Sequence, residues 1–281
     1  NFDGLHLGHR QIVQSLIHEA QKSNSPSVVM GFDRHPKEVL GTQSHHFKLF
    51  QTEDLVEELR KMGVNYYLEL PFTKELSELD PSTFFEDYVY KKIHPKSVVV
   101  GYDFGFGKDR TGDFNLIQDL SVKYGFSVKK IEPLSINDKL ISSSRIRECL
   151  SSGRVDEVQI YLGRTYYIQC VVVHGSQMGR GIGFPTANMK INKGISLAKG
   201  VYQTQLEFNG QMYKSISNFG TRPTVNENQE LYLETHVLNE NLDLYNKSIK
   251  IHFERYLRPE KKFKNIDELK KQIQEDIQSL K

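Results

Sequence analysis

The sequence predicts two unlike halves: a doubly wound α/β unit with a parallel sheet, then an antiparallel barrel or sandwich closed by one helix. Three observations predict it. Up to about residue 150, short apolar runs alternate with stretches of helical period, the order that builds a parallel sheet covered by helices. From Thr165 the runs become rich in Val, Ile, Tyr and Phe and alternate with polar residues between Gly, Pro and Asn clusters, as antiparallel strands do. The final stretch, 265–280, returns to helical spacing through Ile266, Leu269, Ile273, Ile277 and Leu280.

Taken in order, residues 9–22 carry Ile12, Val13, Leu16, Ile17 and Ala20 on one helical face. Val28–Phe32 is a short apolar run and reads as a buried strand. Thr52 is placed to cap a helix with Leu55, Val56, Leu59 and Met62 inside and Gly63 as its stop. Residues 64–70 form the next strand. Asp80-Pro81 starts another helix, with proline at the first position and Phe84, Phe85, Tyr88, Val89 and Ile93 following. Residues 97–100 are a strand, Asp113 caps a helix ending near Gly125, and 126–131 is one more strand. Residues 142–162 read as two helical pieces broken at Ser152-Gly153. Strands are expected at 166–173, 201–208, 212–219, 230–238 and 248–256. The domain boundary falls near 151–164, giving a first domain at 1–150, a linker, and a second domain at 165–281.

Composition removes several function classes. Thirty-seven basic residues oppose 35 acidic ones, a net charge of +2, which argues against nucleic acid or an anionic membrane as partner. The 38% apolar and 26% charged fractions exclude disordered and fibrous chains. Val98–Val100 and Val171–Val173 are far shorter than a bilayer span. Cys149 and Cys170 are too few for a disulfide framework or a zinc site and read as small reduced core residues. With no leader pattern at the start, a cytoplasmic setting is expected. Oligomeric state is not readable.

The first constellation is His6-Leu-Gly-His9, just before the first helix. Two imidazoles three residues apart at a helix start point the same way as its free N–H groups, and such an end binds phosphate. Gly8 removes a side chain where a phosphate must come close. Histidines here can donate to a phosphoryl group that gains charge in the transition state. The plain alternative is a capping histidine beside a core one. Ile141-Ser-Ser-Ser-Arg-Ile-Arg147 follows the last strand of the same half. Its serines cap a helix and can reach phosphate oxygens, and Arg145 and Arg147 are permanent planar donors. Alone it would read as a capped helix with two surface arginines; with the histidine pair, phosphate binding is the better reading. The combination resembles the nucleotidylyltransferase superfamily, which attacks the α-phosphate of a nucleotide and expels pyrophosphate. Class I aminoacyl-tRNA synthetases share the H-x-G-H element, but their Lys-Met-Ser-Lys-Ser-like loop is absent here.

The second constellation is Gly179-Arg-Gly-Ile-Gly-Phe-Pro-Thr-Ala-Asn188 in the β-rich half. Gly179, Gly181 and Gly183 let backbone N–H groups turn towards a phosphate chain. Thr186 and Asn188 offer a hydroxyl and an amide oxygen, hard ligands that suit Mg²⁺. No Gly-Lys-Ser/Thr follows, so it is not a Walker loop; a glycine-rich hairpin turn is the plain alternative.

The hexapeptide Gly183–Asn188 resembles the signature of riboflavin kinases. The resemblance continues through Val172-Val-His-Gly175, Gly200-Val-Tyr202, Asn218-Phe-Gly-Thr-Arg-Pro-Thr224, Leu233-Glu-Thr-His236, Asp243-Leu-Tyr245 and Leu257-Arg-Pro-Glu-Lys-Lys-Phe263. In the first half it takes in Asn1–His9, Gly31-Phe-Asp-Arg-His-Pro36, Leu70-Pro-Phe72 and Gly101-Tyr-Asp-Phe-Gly-Phe-Gly107. Over its whole length the chain is similar to the prokaryotic bifunctional riboflavin kinases/FMN adenylyltransferases, or FAD synthetases. That resemblance implies a Rossmann-like nucleotidylyltransferase domain followed by a riboflavin kinase barrel. It implies riboflavin, FMN, FAD and ATP as partners, with Mg²⁺ as cofactor. Glu234 would be the general base for the ribityl hydroxyl, and Thr186 and Asn188 would hold Mg²⁺ and ATP. Gly179, Gly181, Gly183, Pro185 and Arg258 would line the kinase nucleotide site. His6, Gly8, His9, Asp103, Ser143, Ser144, Arg145 and Arg147 would serve adenylyl transfer. The family fold also leads a buried strand into H-x-G-H, whereas only five residues precede His6 here. A gap or exposed position at the sheet centre is therefore expected. The chain departs from the family pattern at Arg34 (usually Pro), Ser144 (usually Thr), Asn239-Glu240 (usually Asp-Phe) and Asn246 (usually Gly). Two other readings stand beside this one, an enzyme with one surviving activity and a flavin-binding regulator without turnover.

Overall fold

The computed structural model describes residues 2–41, 48–175, 178–191, 195, 197–222, 230–240 and 242–280. Pro223 and Thr224 of the Asn218 motif, and Asn1, lie outside the described residues. The chain forms two compact units, Asn1–Ser143 and Ser144–Lys281.

The first unit runs α1 (Leu7–Lys22), β1 (Val28–Phe32), α2 (Pro36–Val39), α3 (Thr52–Met62), β2 (Tyr66–Leu70), α4 (Lys74–Ser77) and α5 (Pro81–Phe84). A π-helical turn, Phe85–Tyr90, leads to α6 (Lys91–Ile93), β3 (Ser97–Gly101), α7 (Phe114–Tyr124) and β4 (Ser127–Ile131). A two-residue-stranded hairpin, β5 (Ser135–Ile136) and β6 (Lys139–Leu140), ends the unit. β1 pairs in parallel with β2, and β3 with β4. Among the described residues no strand joins the two pairs, so the parallel sheet is in two pieces. α1 packs on both. Its Val13 is fully buried with Leu5, Val29 and Leu59. The Ile12 Cδ1 lies 3.1 Å from where a Cβ on Gly101 of β3 would stand, and Glu19 pairs with Lys129 of β4 at 3.3 Å.

Local chemistry explains where the elements start and stop. Asp80 accepts from the Ser82 and Thr83 amides at 2.9 and 3.2 Å, and Asp113 from Leu116 at 3.0 Å, each satisfying orphan helix donors. Gly63 and Gly125 end α3 and α7 with φ of 93° and 75°, the left-handed region that costs glycine nothing. Two expectations on α3 are corrected. Thr52 does not cap it: Gln51 holds that position, and the Thr52 hydroxyl, one residue inside, donates to Glu69 at 3.0 Å. Val56 is not inside but 39% exposed. The buried polar residues of α3 are Asp54 and Glu58, the latter paired with Arg10 of α1 at 2.6 Å.

The second unit begins in the first turn of α8 (Ser143–Ser151) and continues through α9 (Val155–Leu162). Then follow β7 (Tyr166–Val173), α10 (Met178–Gly181), β8 (Ala187–Ile191), β9 (Gly200–Phe208), β10 (Gln211–Arg222), β11 (Glu230–Val237), β12 (Ser248–Arg258) and α11 (Ile266–Gln278). The strands close into a barrel in the order β10-β11-β8-β7-β12-β9, which decides between barrel and sandwich. β8 lies outside the expected strands, although Ala187-Asn-Met-Lys-Ile191 alternates apolar and polar residues. Tyr202, Phe219, Phe253, Met189, Leu206 and Ile251 fill the interior. Four hydroxyls share it. Thr204 meets Ser215 and Ser217 at 2.8 Å, and Ser217 meets Thr235 at 2.7 Å, so none is buried without a partner.

Asn265 caps α11, accepting from the Glu268 amide at 2.9 Å. The expected apolar stripe is only partly used, since Ile266 is exposed and the most buried residue of the helix is Asp276. Both Asp276 oxygens receive the Arg258 guanidinium at 2.7–3.0 Å, a bidentate pair that fastens α11 to the end of β12. Among the described residues no helix is long and apolar enough to cross a membrane.

Candidate functional site

Among the described residues, expected site residues gather at His6–His9 in the first unit and around Glu234 in the second. In the first, His6 is the N-cap of α1: its Nδ1 accepts from the His9 amide at 3.2 Å. The two rings stack with centroids 3.6 Å apart and an interplanar angle of 15°. Gly8 closes the arrangement, because a Cβ there would stand 3.3 Å from the His6 ring. Phe2 meets His9 edge-on at 5.2 Å. Among the described residues His9 Nδ1 is buried and makes no hydrogen bond.

Burial pulls the His6 pKa down to about 4, against the opposing pull of the Asp103 carboxylate. Burial, and next the neighbouring His6, hold His9 well below the usual imidazole value. Both rings are neutral at pH 7. A neutral His6 that accepts at Nδ1 carries its proton on Nε2, which leaves that N–H to donate elsewhere. The pair is thus a set of neutral donors at a helix N-terminus, not a cationic one.

A stability consequence follows. The unfolded chain protonates His6 near pH 6.5 and the folded chain only near 4, so the stabilising contribution is full above about 6.5 and is lost as pH falls towards 4. Urea unfolding of the first unit is expected to weaken by roughly 1–2 kcal/mol between pH 7 and pH 5. His6→Asn should remove the His6 share of that change and leave the share of His9, which burial also holds low; an identical pH dependence in the variant would overturn the burial of a neutral His6 ring.

Phe2, which meets His9, also lines a shallow open cleft. Phe2, Phe32, Phe50 and Tyr67 supply aromatic surface, and Arg34 and Lys48 supply charge. Tyr67 fits only because Gly31 has no side chain: a Cβ there would come within 2.3 Å of the phenol oxygen. Lys48 and Phe50 escaped sequence reasoning, having no motif of their own. The Asp3 carboxylate draws their segment in, accepting from the Leu49 and Phe50 amides at 2.7 and 3.3 Å. Ser143, the last residue of the unit, donates its hydroxyl to the Asp3 carbonyl at 2.9 Å.

Ser144, Arg145 and Arg147 follow on α8, in the second unit. Ser144 is exposed; Arg145 and Arg147 are half-buried. Arg145 reaches Glu148 at 3.3 Å, and a hydrogen bond with Tyr161 of α9 raises its already high pKa.

The second cluster sits on the outer face of the barrel. Glu234 on β11 is in register with Asn188 on β8 and with Asn218 on β10. The Asn188 amide nitrogen donates to the Thr186 carbonyl and hydroxyl at 3.1 and 3.3 Å, which directs its oxygen away from Thr186. Gly175 makes room for Asn188, since a Cβ would stand 2.4 Å from the amide carbon. The glycine-rich segment is a single helical turn, α10, followed by a bend, and not a hairpin turn. The Gly179 carbonyl accepts from Phe184 at 2.8 Å, and a Gly179 Cβ would sit 2.4 Å from the Phe184 carbonyl. Gly183 has φ 91°. Gly181 has open space around it. Two residues beyond Glu234, His236 Nδ1 lies 2.8 Å from the Pro185 carbonyl, and its ring takes Phe184 edge-on at 5.5 Å. Thus Gly179, Pro185, Thr186, Asn188 and Glu234 come together. Arg258, expected at the nucleotide, has its guanidinium on Asp276 and its Nη1 on the Pro259 carbonyl.

Residues 1–145 match the family model for FAD synthetase, and residues 162–281 that for riboflavin kinase. A protein of Escherichia coli (strain K12), named bifunctional riboflavin kinase/FMN adenylyltransferase, is 36% identical over 98% of this chain and 88% of its own length. Proteins of the same name from Haemophilus influenzae and Bacillus subtilis are 32% and 34% identical. They match 100% and 99% of this chain, and 91% and 88% of their own lengths. A crystal structure described as a macrolide-efflux protein from Streptococcus pneumoniae shares the fold. Its TM-score is 0.88 at 29% identity, over 99% of this chain and 90% of that one.

Proposed function

The chain belongs to the family of bifunctional riboflavin kinases/FMN adenylyltransferases, and on that premise we propose how its residues divide the work. It is an enzyme with two activities: ATP-dependent phosphorylation of riboflavin to FMN, and transfer of AMP from ATP to FMN, which gives FAD and pyrophosphate. The observation that supports the division of labour is that the His6–His9 pair lies in the first unit and Thr186, Asn188 and Glu234 in the second, each within the segment matched by the corresponding family model. We place the adenylyl-transfer domain at 1–150, a linker at 151–164 and the kinase domain at 165–281, and the reactions in the cytoplasm.

For adenylyl transfer, the FMN phosphate is already an anion and needs no base, only charge neutralisation and positioning. His6 and His9 donate to the α-phosphate as it gains charge, Gly8 keeps the His6 ring in place, and Asp103 faces His6 from the end of β3. Ser143, Ser144, Arg145 and Arg147 serve the phosphates. The aromatic-walled cleft with Arg34 and Lys48 suits a flat ring that bears an anionic group, as both substrates of this step do.

For the kinase step, Glu234 takes the proton of the ribityl hydroxyl as it attacks the γ-phosphate. Gly179, Gly181, Gly183 and Pro185 shape the nucleotide loop, and Arg258 supports that end of the barrel through Asp276. Thr186 and Asn188 offer two neutral hard oxygens that would suit Mg²⁺ by type, and the Asn188 amide, whose nitrogen now faces Thr186, would turn to bring its oxygen to the same ion. Among the described residues no group of three or more His, Cys, Asp or Glu is placed to hold a metal. The pair therefore suits an ion whose remaining ligands are phosphate oxygens and water. When bound, the ion neutralises charge on the transferring phosphate. Incubation with riboflavin, ATP and Mg²⁺ followed by chromatography is expected to give FMN and then FAD. FMN without FAD, or FAD from supplied FMN alone, would leave one activity only.

A further inference from the structure

We propose that His236 is a positioning residue of the kinase reaction, a clamp that fixes the Pro185–Thr186 segment against the strand carrying Glu234. The proposal rests on the assignment of Glu234, Thr186 and Asn188 given above. Its starting point is a hydrogen bond that the chemistry so far leaves unused: His236 Nδ1 lies 2.8 Å from the Pro185 carbonyl. A carbonyl oxygen only accepts, so Nδ1 carries the proton and donates.

The geometry gives this bond a consequence. β8 pairs with β11 from Leu231–Ile191 to Thr235–Ala187, and there the ladder ends. Thr186 and Pro185 lie just past the last paired residue, so no backbone bond from β11 holds them. His236 is the next residue of β11 and points to the same face as Glu234, two positions away. Its side chain continues by one step what the ladder no longer supplies. Phe184 closes on the same ring edge-on, at 5.5 Å and 87°. At its other end the segment is tied by the Phe184 amide to the Gly179 carbonyl at 2.8 Å. The Thr186 carbonyl and hydroxyl in turn receive the Asn188 amide. One ring therefore sets where Thr186 stands relative to Glu234 while touching no reacting atom.

The test uses which atom of a replacement falls where Nδ1 was. The amide nitrogen of Asn overlays Nδ1 of His, whereas that of Gln overlays Nε2. In the full chain, H236Q and H236L are expected to raise the KM for ATP, and the Mg²⁺ concentration for half-maximal FMN formation, by roughly tenfold, the effect of one lost positioning hydrogen bond. Both should change kcat less. H236N should keep both values within about threefold of the starting protein. FAD formation from supplied FMN serves as a control for intact protein in every variant. An unchanged KM in H236L, or equal damage in all three variants, would overturn the proposal, the second outcome assigning His236 to packing alone. Glu234→Gln run beside them separates the two readings. If it makes FMN at the normal rate, the site assignment has failed; if it is inactive while the His236 series is flat, only the clamp has failed.

Discussion

Glu234→Gln is expected to reduce FMN formation from riboflavin by roughly 10²–10⁴-fold, the range a positioned general base contributes. FAD formation from supplied FMN should continue at its normal rate. The substitution keeps size and shape and removes only the ability to take a proton. Glu234 is half-buried on the outer face of the barrel, between Asn188 and Asn218 in the strand register. Its neighbours on β11, Leu233 and Thr235, are fully buried and anchor the strand from inside. The barrel should therefore keep its fold in the variant. Nucleotide affinity should survive as well, because Thr186, Asn188 and the bend at Gly183 are untouched. A discontinuous assay that separates riboflavin, FMN and FAD checks all three statements on one sample. Normal FMN formation by the variant would mean that another group takes the ribityl proton and that the outer face of β11 has been misassigned.

The parts of the fold legible in the sequence are those set by local chemistry. Helix α7 was readable because Asp113 caps it and Gly125 ends it, and β1 because its apolar run is flanked by polar loops. Errors arose where tertiary contacts outvote local pattern. On α3 the apolar side chain of Val56 predicts an inside position, yet Val56 is exposed and Asp54 and Glu58 are buried, Glu58 pairing with Arg10. On α11 the apolar stripe was clear, but the deepest residue is the acid that receives Arg258. Strand β8 alternates apolar and polar residues over Ala187–Ile191, a signal masked by the glycine-rich motif it adjoins, and it is held between β7 and β11. For the sites, the motif residues are legible in the sequence and the contacts they make are not. His-x-Gly-His allows a capping histidine beside a core one, and the structure has that arrangement, with His6 accepting from the His9 amide and burial lowering the pKa of both rings. Arg258 belongs to a family motif, and only the position of Asp276, eighteen residues on, reveals what its guanidinium does. The cleft residues Lys48 and Phe50 come into place through Asp3, more than forty residues away, a contact no spacing rule contains.

His9→Ala is expected to lower FAD formation from FMN by roughly 10²-fold or more, as loss of one transition-state donor does, with FMN formation from riboflavin unaffected. His9 is a stronger test than His6, whose Nδ1 also caps α1, so that removing it mixes a helix-capping loss with the catalytic one. The His9 ring stacks on His6 at 3.6 Å and meets Phe2 on its edge, and its Nδ1 is buried without a hydrogen bond among the described residues. A buried polar atom without a partner is costly in a resting protein, and an incoming phosphate oxygen is the kind of group that would repay it. Because burial holds both imidazoles well below the usual range, the proposed role of the ring is that of a neutral donor and not of a proton source. Adenylyl transfer should therefore show no rate inflection near pH 6.5, where an exposed histidine titrates. His9→Asn, whose amide nitrogen overlays Nδ1, should keep more FAD formation than the alanine variant. Unchanged FAD synthesis in His9→Ala would reject the assigned site. An inflection near pH 6.5 that disappears in the variant would keep the site but give His9 a charge that its surroundings argue against.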